Sequence, residues 1–462
     1  MDRLFKLAEH QTTVKREFAA GVTTFLTMAY IIAVNPQFLS FFGDPSLANV
    51  AWPVSATVTA TCLAAGVMCI FMGLYANFPI ALASGMGLNA IAAYELAAPL
   101  GSFPAAMAVF VMEGLLITIL VLTRVREKVM EAIPLPMKHA IGVGIGLFIA
   151  FIGLQEAGIV VRDPATLVGV GELWRFPVLI VILGLFVTAV LLKFRVPGAI
   201  LIGIAATTVI ATAANYIAGF GADGSSMLGF AKGTAVLPKE ILALPDFSTL
   251  GRVDFAGVFE GFGWLGASLT IFSVMLSDFF DTMGTVVAIG DQSGMMDEKG
   301  KIPRLRRILL VDSLAAAAGG AAGASSVTSY VESAAGIASG GRTGLMVVVV
   351  GVLFLLSIFF HPLVSVIPAQ ATAPALILVG FLMVKLIRRI DFEELDTALP
   401  SFLTIMLMPL TYSITNGIGA GFIAYTFLKV FQGKFREVHP LMYVVTAGFI
   451  IYFAAPAIVG AA

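Results

Sequence analysis

Two acidic residues stand where the sequence is otherwise apolar. Asp281 lies in SDFFDTMGTVVAIG (277–290), and Glu332 lies in GASSVTSYVESAAGI (323–337). A carboxylate at the centre of a bilayer costs at least about 2.5–3.5 kcal/mol, so such positions are read first as functional. Lys and Arg cluster at the ends of the apolar runs, and only Arg342, ten residues past Glu332, is near in sequence. Desolvation disfavours the charged form of an acid without a cation. Such a group suits carrying a proton or hydrogen-bonding a neutral ligand. Tyr330 precedes Glu332 by two residues, with Val331 between them. If this stretch is extended, Tyr330 and Glu332 share one face, which suits a planar ligand that stacks and hydrogen-bonds.

Around these acids stand further polar groups. Thr282, Gly284 and Thr285 line the helix around Asp281, and Asn89 is the polar residue of another interrupted segment. Ser325, Ser326, Thr328 and Ser329 either bind ligand or satisfy a broken backbone. Asp278 is three residues before Asp281, and a helix-end or vestibule role is as open for it as a site role. Asp291 reads as a solvated cap, Glu95 as interfacial, and Glu113 is mid-span with no role assigned. The four histidines are scattered and offer no metal spacing, so no metal and no cofactor is expected. Cys62 and Cys69 are seven apart on one helix face, too far for a mutual bond, and read as small core residues.

These residues sit in a chain of 462 residues, 59% apolar and 12% charged, against about 25% charged in a soluble domain. The mean hydropathy is +0.99. That composition defines an all-α polytopic membrane protein, with apolar runs of helical length. A net charge of −1 argues against nucleic acid. The N-terminus lacks the pattern of a cleaved signal peptide. Apolar spans are expected at 19–41, 52–76, 79–97, 103–123, 137–155, 175–193, 197–218, 263–290, 307–323, 325–340, 343–361, 368–387, 399–414 and 417–431. The stretch 440–460 is either a fifteenth span or an interfacial helix. Every Lys/Arg cluster falls on the side of the N-terminus, which the positive-inside rule makes cytoplasmic.

Seven spans precede the 219–262 connector and seven come after it, so the halves 1–218 and 263–431 have opposite orientation, with a C-terminal apolar segment at 432–462. FLTMAYIIAVNP (25–36) matches FDTMGTVVAIGD (280–291) at four of twelve positions, with three Ile/Val exchanges. This pairs Thr27 with Thr282 and supports an inverted repeat, a common transporter plan. The third span, NFPIALASGMGLNAIAAYEL (77–96), and the tenth, rich in Gly, Ala and Ser, are poor continuous helices. Interrupted segments at matching places in two halves point to a midplane binding site.

TTVKREFAAGVTTFLTMAYIIAVNP (12–36), ALASGMGLNAIAAY (81–94), DFFDTMGT (278–285) and SSVTSYVESAAGI (325–337) together resemble the AzgA-like purine permeases, relatives of the uracil and nucleobase–ascorbate transporters. The likeness runs the length of the chain. One departure is Ser84, where the family pattern has Pro, which would loosen the third-span break. The resemblance implies fourteen spans in two inverted seven-helix repeats, with short strands in the third and tenth. It implies a core domain (19–123 and 263–361) moving against a gate domain (137–218 and 368–431). By motif, Asp281 and Glu332 take the places of the two acids that hold the base in the uracil-type relatives, and Tyr330 and Leu88 fall at or near their aromatics. Thr285 stands where those relatives carry His, so a His proton relay is not expected here.

The resemblance further implies a plasma-membrane importer of hypoxanthine, guanine and adenine. It would be surrounded by lipid and not an enzyme; the two acids without a fixed cation point to coupling to protons through Asp281 and Glu332, with sodium coupling and facilitated diffusion left open. Homodimerisation is left open, since related folds often dimerise. The first rival is a same-fold carrier of an inorganic anion, which two site acids argue against. An intramembrane aspartyl protease would need Gly-x-Gly-Asp, and AIGD (288–291) departs from it. A channel or receptor has no need of two broken spans.

Overall fold

The computed structural model of the protein describes residues 2–123, 133–221, 225–292, 302 and 304–459. Among them, ten helices are long and apolar enough to cross a membrane. The first half runs α1 (Val14–Met28), α2 (Ile31–Leu39), α3 (Val54–Phe71), β1 (Leu82–Ser84), α4 (Met86–Ala90), α5 (Phe103–Leu122), α6 (Leu135–Glu156), the hairpin β2 (Val160–Asp163) and β3 (Leu167–Val170), α7 (Phe176–Lys193) and α8 (Ala199–Ala218). The second half runs α9 (Phe255–Gln292), α10 (Leu305–Ala322), β4 (Val327–Ser329), α11 (Ser333–Ala338), α12 (Gly344–Ser357), α13 (Ala369–Val384), α14 (Leu395–Leu410), α15 (Ile414–Phe431) and α16 (Pro440–Val459).

Helix starts obey local chemistry. Thr13, Ser102, Thr343 and Ser413 each place a hydroxyl on a free backbone N–H in the first turn, the usual N-cap arrangement. Glu17 of α1 does more. Fully buried, it accepts the Arg342, Thr343 and Met346 amides and the Thr343 hydroxyl, and so caps α12 from another helix. Packing joins α5 to α9 and α10, and α3 and α1 to α12; it also joins α6 to α13 and α14, α14 to α15, and α7 to α8 and α13. Glycines permit the closest crossings, as in many membrane helix pairs. A Cβ on Gly351 would stand 2.6 Å from the Gly66 carbonyl, and one on Gly380 2.3 Å from that of Gly146.

The interrupted third span becomes β1, α4 and a π-helical segment, Ile91–Ala97. The interrupted tenth becomes β4 and α11. The two strands, distant in sequence, pair antiparallel, with Leu82 opposite Ser329 and Ser84 opposite Val327. Gly85 N extends the ladder to Ser326 O at 3.0 Å. Cys69 of α3 lies 3.1 Å from both the amide and the carbonyl of Leu82, so this thiol braces the strand as well as filling space.

The structure adds detail to several expectations. The 156–173 loop holds the β2–β3 hairpin, whose turn is fixed by Asp163 accepting the Ala165 and Thr166 amides. Helical backbone starts already at Phe255, and Gly263 (φ 67°, ψ 170°) breaks it where the eighth span was expected to begin. The described part of the 219–252 connector is fastened down. Ala235 and Ala243 amides reach Val366 and Phe359 carbonyls, and Asp246 accepts from Ser55. The last apolar stretch forms α16, which packs on α15 and α9.

Candidate functional site

The structure contains a cavity of about 100 Å³, partly open to its surroundings. It lies where β1 meets α4, where β4 meets α11, and where the middle of α9 faces α6 and α13. Its polar wall carries Tyr30, Ser277, Asp281, Thr285, Ser329, Tyr330 and Glu332. Its apolar wall carries Met86, Leu88, Ile145, Val331, Val379 and Met383. No Lys, Arg or His is among its described lining residues.

Glu332 is presented by the turn before α11. Its Oε1 accepts a 2.6 Å hydrogen bond from the Tyr30 hydroxyl, and among the described residues no other side chain bonds the carboxylate. Arg342 does not neutralise it, because its guanidinium donates to the Ile337 and Gly341 carbonyls. Asp281 is half-buried and has no hydrogen-bond partner among the described residues. The expected shared strand face is corrected: β4 ends at Ser329, and Glu332 is helical (φ −59°, ψ −17°). A turn, rather than a continued strand, brings Tyr330 and Glu332 to one cavity. The Tyr330 hydroxyl donates to the Ser84 carbonyl, which ties the aromatic wall to β1.

The other expected residues divide. Asp281, Thr285, Leu88, Tyr330, Val331 and Glu332 line the cavity. Thr282 is buried behind it, donating to Asp312 Oδ2 at 2.6 Å and pairing with the Thr328 hydroxyl. Asn89 also lies behind the wall, its Oδ1 accepting from Ser84 and Ser325. Ser84 therefore tightens the break it was expected to loosen, since its hydroxyl also lies 2.6 Å from the Ala324 carbonyl. Thr27 lines a second cavity with Val331, Glu332, Leu192, Val196 and Gly198. The surroundings of Gly284, like those of Asp291, lie outside the described residues.

Tyr30 is the main residue not anticipated. The repeat match pairs it with Thr285, and the structure sets the two on one cavity wall, so the signal was present in that alignment. Glu95 is likewise revised. Its carboxylate accepts from the Ser413 hydroxyl at 2.9 Å and from the Ile414 and Thr415 amides, capping α15. Nearby, Tyr94 donates to Glu156 and Tyr412 to Gln155.

Strand pairing in broken spans, helices crossing at glycines, and a mid-span cavity define the fold class of a membrane transport domain. Solved structures agree on the fold. The transmembrane domain of the cyanobacterial bicarbonate transporter BicA superposes with a TM-score of 0.61 at 16% identity, covering 88% of this chain and 97% of that one. SLC26A9 superposes at 0.58 and 13% identity, covering 91% and 67%. The chain belongs to the Permease family, whose pattern matches residues 15–420. It is 40% identical to the adenine permease AdeP of Escherichia coli (strain K12), over 98% of this chain and 95% of the other. It is 41% identical to the guanine/hypoxanthine permease PbuO of Bacillus subtilis (strain 168), over 97% and 99%.

Proposed function

We propose that the chain is a secondary transporter that brings purine nucleobases into the cell together with a proton. The observation that carries this reading is the pair of cavity acids. Among the described residues, Glu332 has Tyr30 as its one side-chain donor, Asp281 has none, and no cation lines the wall. Full-length relatives at 40–41% identity bear the names of adenine and guanine/hypoxanthine permeases, which supports purines as the ligands.

The chemistry is consistent. Guanine offers N1–H and an exocyclic amine on one edge, and hypoxanthine offers N1–H. An ionised carboxylate accepts from both guanine donors at once. Adenine offers an acceptor beside an amine and so calls for a protonated carboxyl or an amide. One ionised acid, Glu332, and one protonated acid, Asp281, serve all three bases. Leu88, Ile145, Val331, Val379 and Met383 supply the apolar plates for a flat ring. An inorganic anion would meet two acids and no cation, which disfavours that alternative.

In this reading the chain has fourteen spans in two inverted repeats, 1–218 and 263–431, with the N-terminus cytoplasmic. The antiparallel pairing of β1 with β4, from corresponding broken spans, supports the inversion. Spans 1–4 and 8–11 form a core that slides against a gate of spans 5–7 and 12–14. The second cavity runs from Glu332 to the 192–198 turn, on the side of the basic loops. On the opposite side Glu95, Tyr94 and Tyr412 hold their partners. These features fit a conformation open toward the cytoplasm.

The test is uptake of labelled hypoxanthine into proteoliposomes, with and without an inward proton gradient. Unlabelled adenine, guanine, xanthine, uracil and sulfate serve as competitors. Gradient-driven accumulation blocked by purines alone is expected. No accumulation, or competition by sulfate, would overturn the reading.

A further inference from the structure

Three acids from three helices are buried together outside the cavity. Glu113 of α5 and Asp278 of α9 have 0% exposure, and Asp312 of α10 has 1%; none lines the cavity. Asp278 is thus neither at a helix end nor in a vestibule, because α9 carries it into the contact with α5. Asp312 is engaged, with Oδ1 accepting from the Ser329 amide and hydroxyl and Oδ2 from Thr282. Glu113 and Asp278 differ from it. All four of their carboxylate oxygens are buried without a hydrogen-bond partner among the described residues. Ser326, fully buried just before β4, stands beside Glu113, its own hydroxyl also without a settled partner there. Thr328 stands beside Asp278 but is paired with Thr282.

Acidic groups act on the pair: Asp312 on Glu113, and Glu113, Asp312 and Asp281 on Asp278. Other elements packed on α5 and α10 bring Tyr94, Glu95, Cys62, Cys69 and Tyr75; those packed on α9 bring Tyr425, Tyr443, Tyr452 and three basic residues, Lys138 and His139 near the start of α6 and Lys429 near the end of α15, where it pairs with Asp396 and Glu437. The cations of α10 are at its start, where Arg306 reaches the Leu122 carbonyl. Leu122 is nine residues from Glu113, about 13 Å along the helix. An ionised acid buried without a partner costs several kcal/mol, and two ionised neighbours repel as well. Among the described residues no group is arranged to hold a metal ion. The species that fits is hydrogen on a carboxylate oxygen.

We propose that Glu113 and Asp278 form a second proton-binding site, separate from the substrate cavity, that exchanges the coupling proton with Asp281 one helical turn away. This rests on the proton-symport reading above. One O–H bond forms on the pair as one breaks on Asp281, and the reverse step returns the proton for release. Asp312 links the site to the cavity: a charge appearing on the pair repels the carboxylate that holds Ser329, a cavity residue.

The experiment uses full-length protein, comparing wild type with Glu113→Gln and Asp278→Asn. Three readouts are taken: hypoxanthine counterflow without a gradient, accumulation under a one-unit pH gradient, and the infrared carbonyl stretch of protonated carboxylic acid. For one proton per substrate that gradient supports up to about tenfold accumulation. Glu113→Gln is expected to retain counterflow, to lose accumulation to near unity, and to lose part of the carboxylic-acid band. If Glu113→Gln does not fold, Asp278→Asn is read for the same band. Wild-type accumulation that persists unchanged in Glu113→Gln overturns the proton site and leaves the symport reading standing. An unchanged carboxylic-acid band in the variant also overturns it. Absence of accumulation in the wild type overturns both.

Discussion

The substitution Glu332→Gln tests the base-binding geometry most directly. The carboxylate has two oxygens, and Tyr30 occupies one lone pair of Oε1 at 2.6 Å, which leaves room for two donors from the ligand. An amide keeps the shape but presents one oxygen and one NH2. The NH2 faces a ligand donor instead of accepting from it. A hydrogen bond to a charged group contributes about 1.5–3 kcal/mol, roughly a 10–150-fold change in affinity. Hypoxanthine, with one donor on that edge, is expected to lose one such step. Guanine, with two, is expected to lose a second, so its affinity should fall further by about tenfold or more. Adenine, which presents an acceptor beside its amine, is expected to lose least. The assay is competition against labelled hypoxanthine in counterflow, with the inhibition constants of the three bases compared between wild type and variant. Equal losses for guanine, hypoxanthine and adenine would refute the reasoning, because they would mean that Glu332 shapes the site without reading the base edge.

Asp281→Asn is expected to leave binding measurable but to remove the dependence of uptake on the proton gradient; gradient-driven concentration of hypoxanthine by this variant would sink the proton role of Asp281. Gly114→Ala places a Cβ 2.4 Å from the Ala317 amide nitrogen, a backbone atom that yields little, so a loss of about 1–3 kcal/mol and a lower Tm in detergent are expected. Glu17→Ala strips four hydrogen bonds from the start of α12 and is expected to cost about 2–5 kcal/mol, read as an earlier thermal unfolding transition with the purine selectivity of the surviving folded fraction unchanged.

Much of the site was legible because membrane sequences make polarity conspicuous. Asp281 and Glu332 stood out against apolar neighbours, and the two interrupted spans announced themselves through Gly and Ser. What sequence alone did not carry was depth and direction. Thr282 and Asn89 looked like ligand contacts because they flank the right motifs. Yet a helix turns about 100° per residue, and Thr282 faces Asp312 where Asp281 faces the cavity. Glu95 looked interfacial because it closes a span, but its partner is the start of a helix more than 300 residues later. Glu113 had no reading because its neighbours, Asp278 and Asp312, come from two other helices. Tyr30 was hidden for a different reason: a tyrosine in an apolar span is ordinary until its partner is known.

The hydrogen bond from Tyr330 to the Ser84 carbonyl joins positions 246 residues apart, and the β1–β4 ladder closes over the same interval. At ordinary synthesis speeds of about 5–20 residues per second, some 12–50 s separate the emergence of one strand from that of its partner. Throughout that time the first half waits in the membrane with an unpaired strand edge, and with Ser84 and Asn89 lacking the Ser325 and Ala324 groups that later satisfy them. Such an edge is a template for wrong pairing. The newly made protein therefore has a period of vulnerability built into its gene order, and the machinery that inserts it must shelter a polar half-site until its complement arrives.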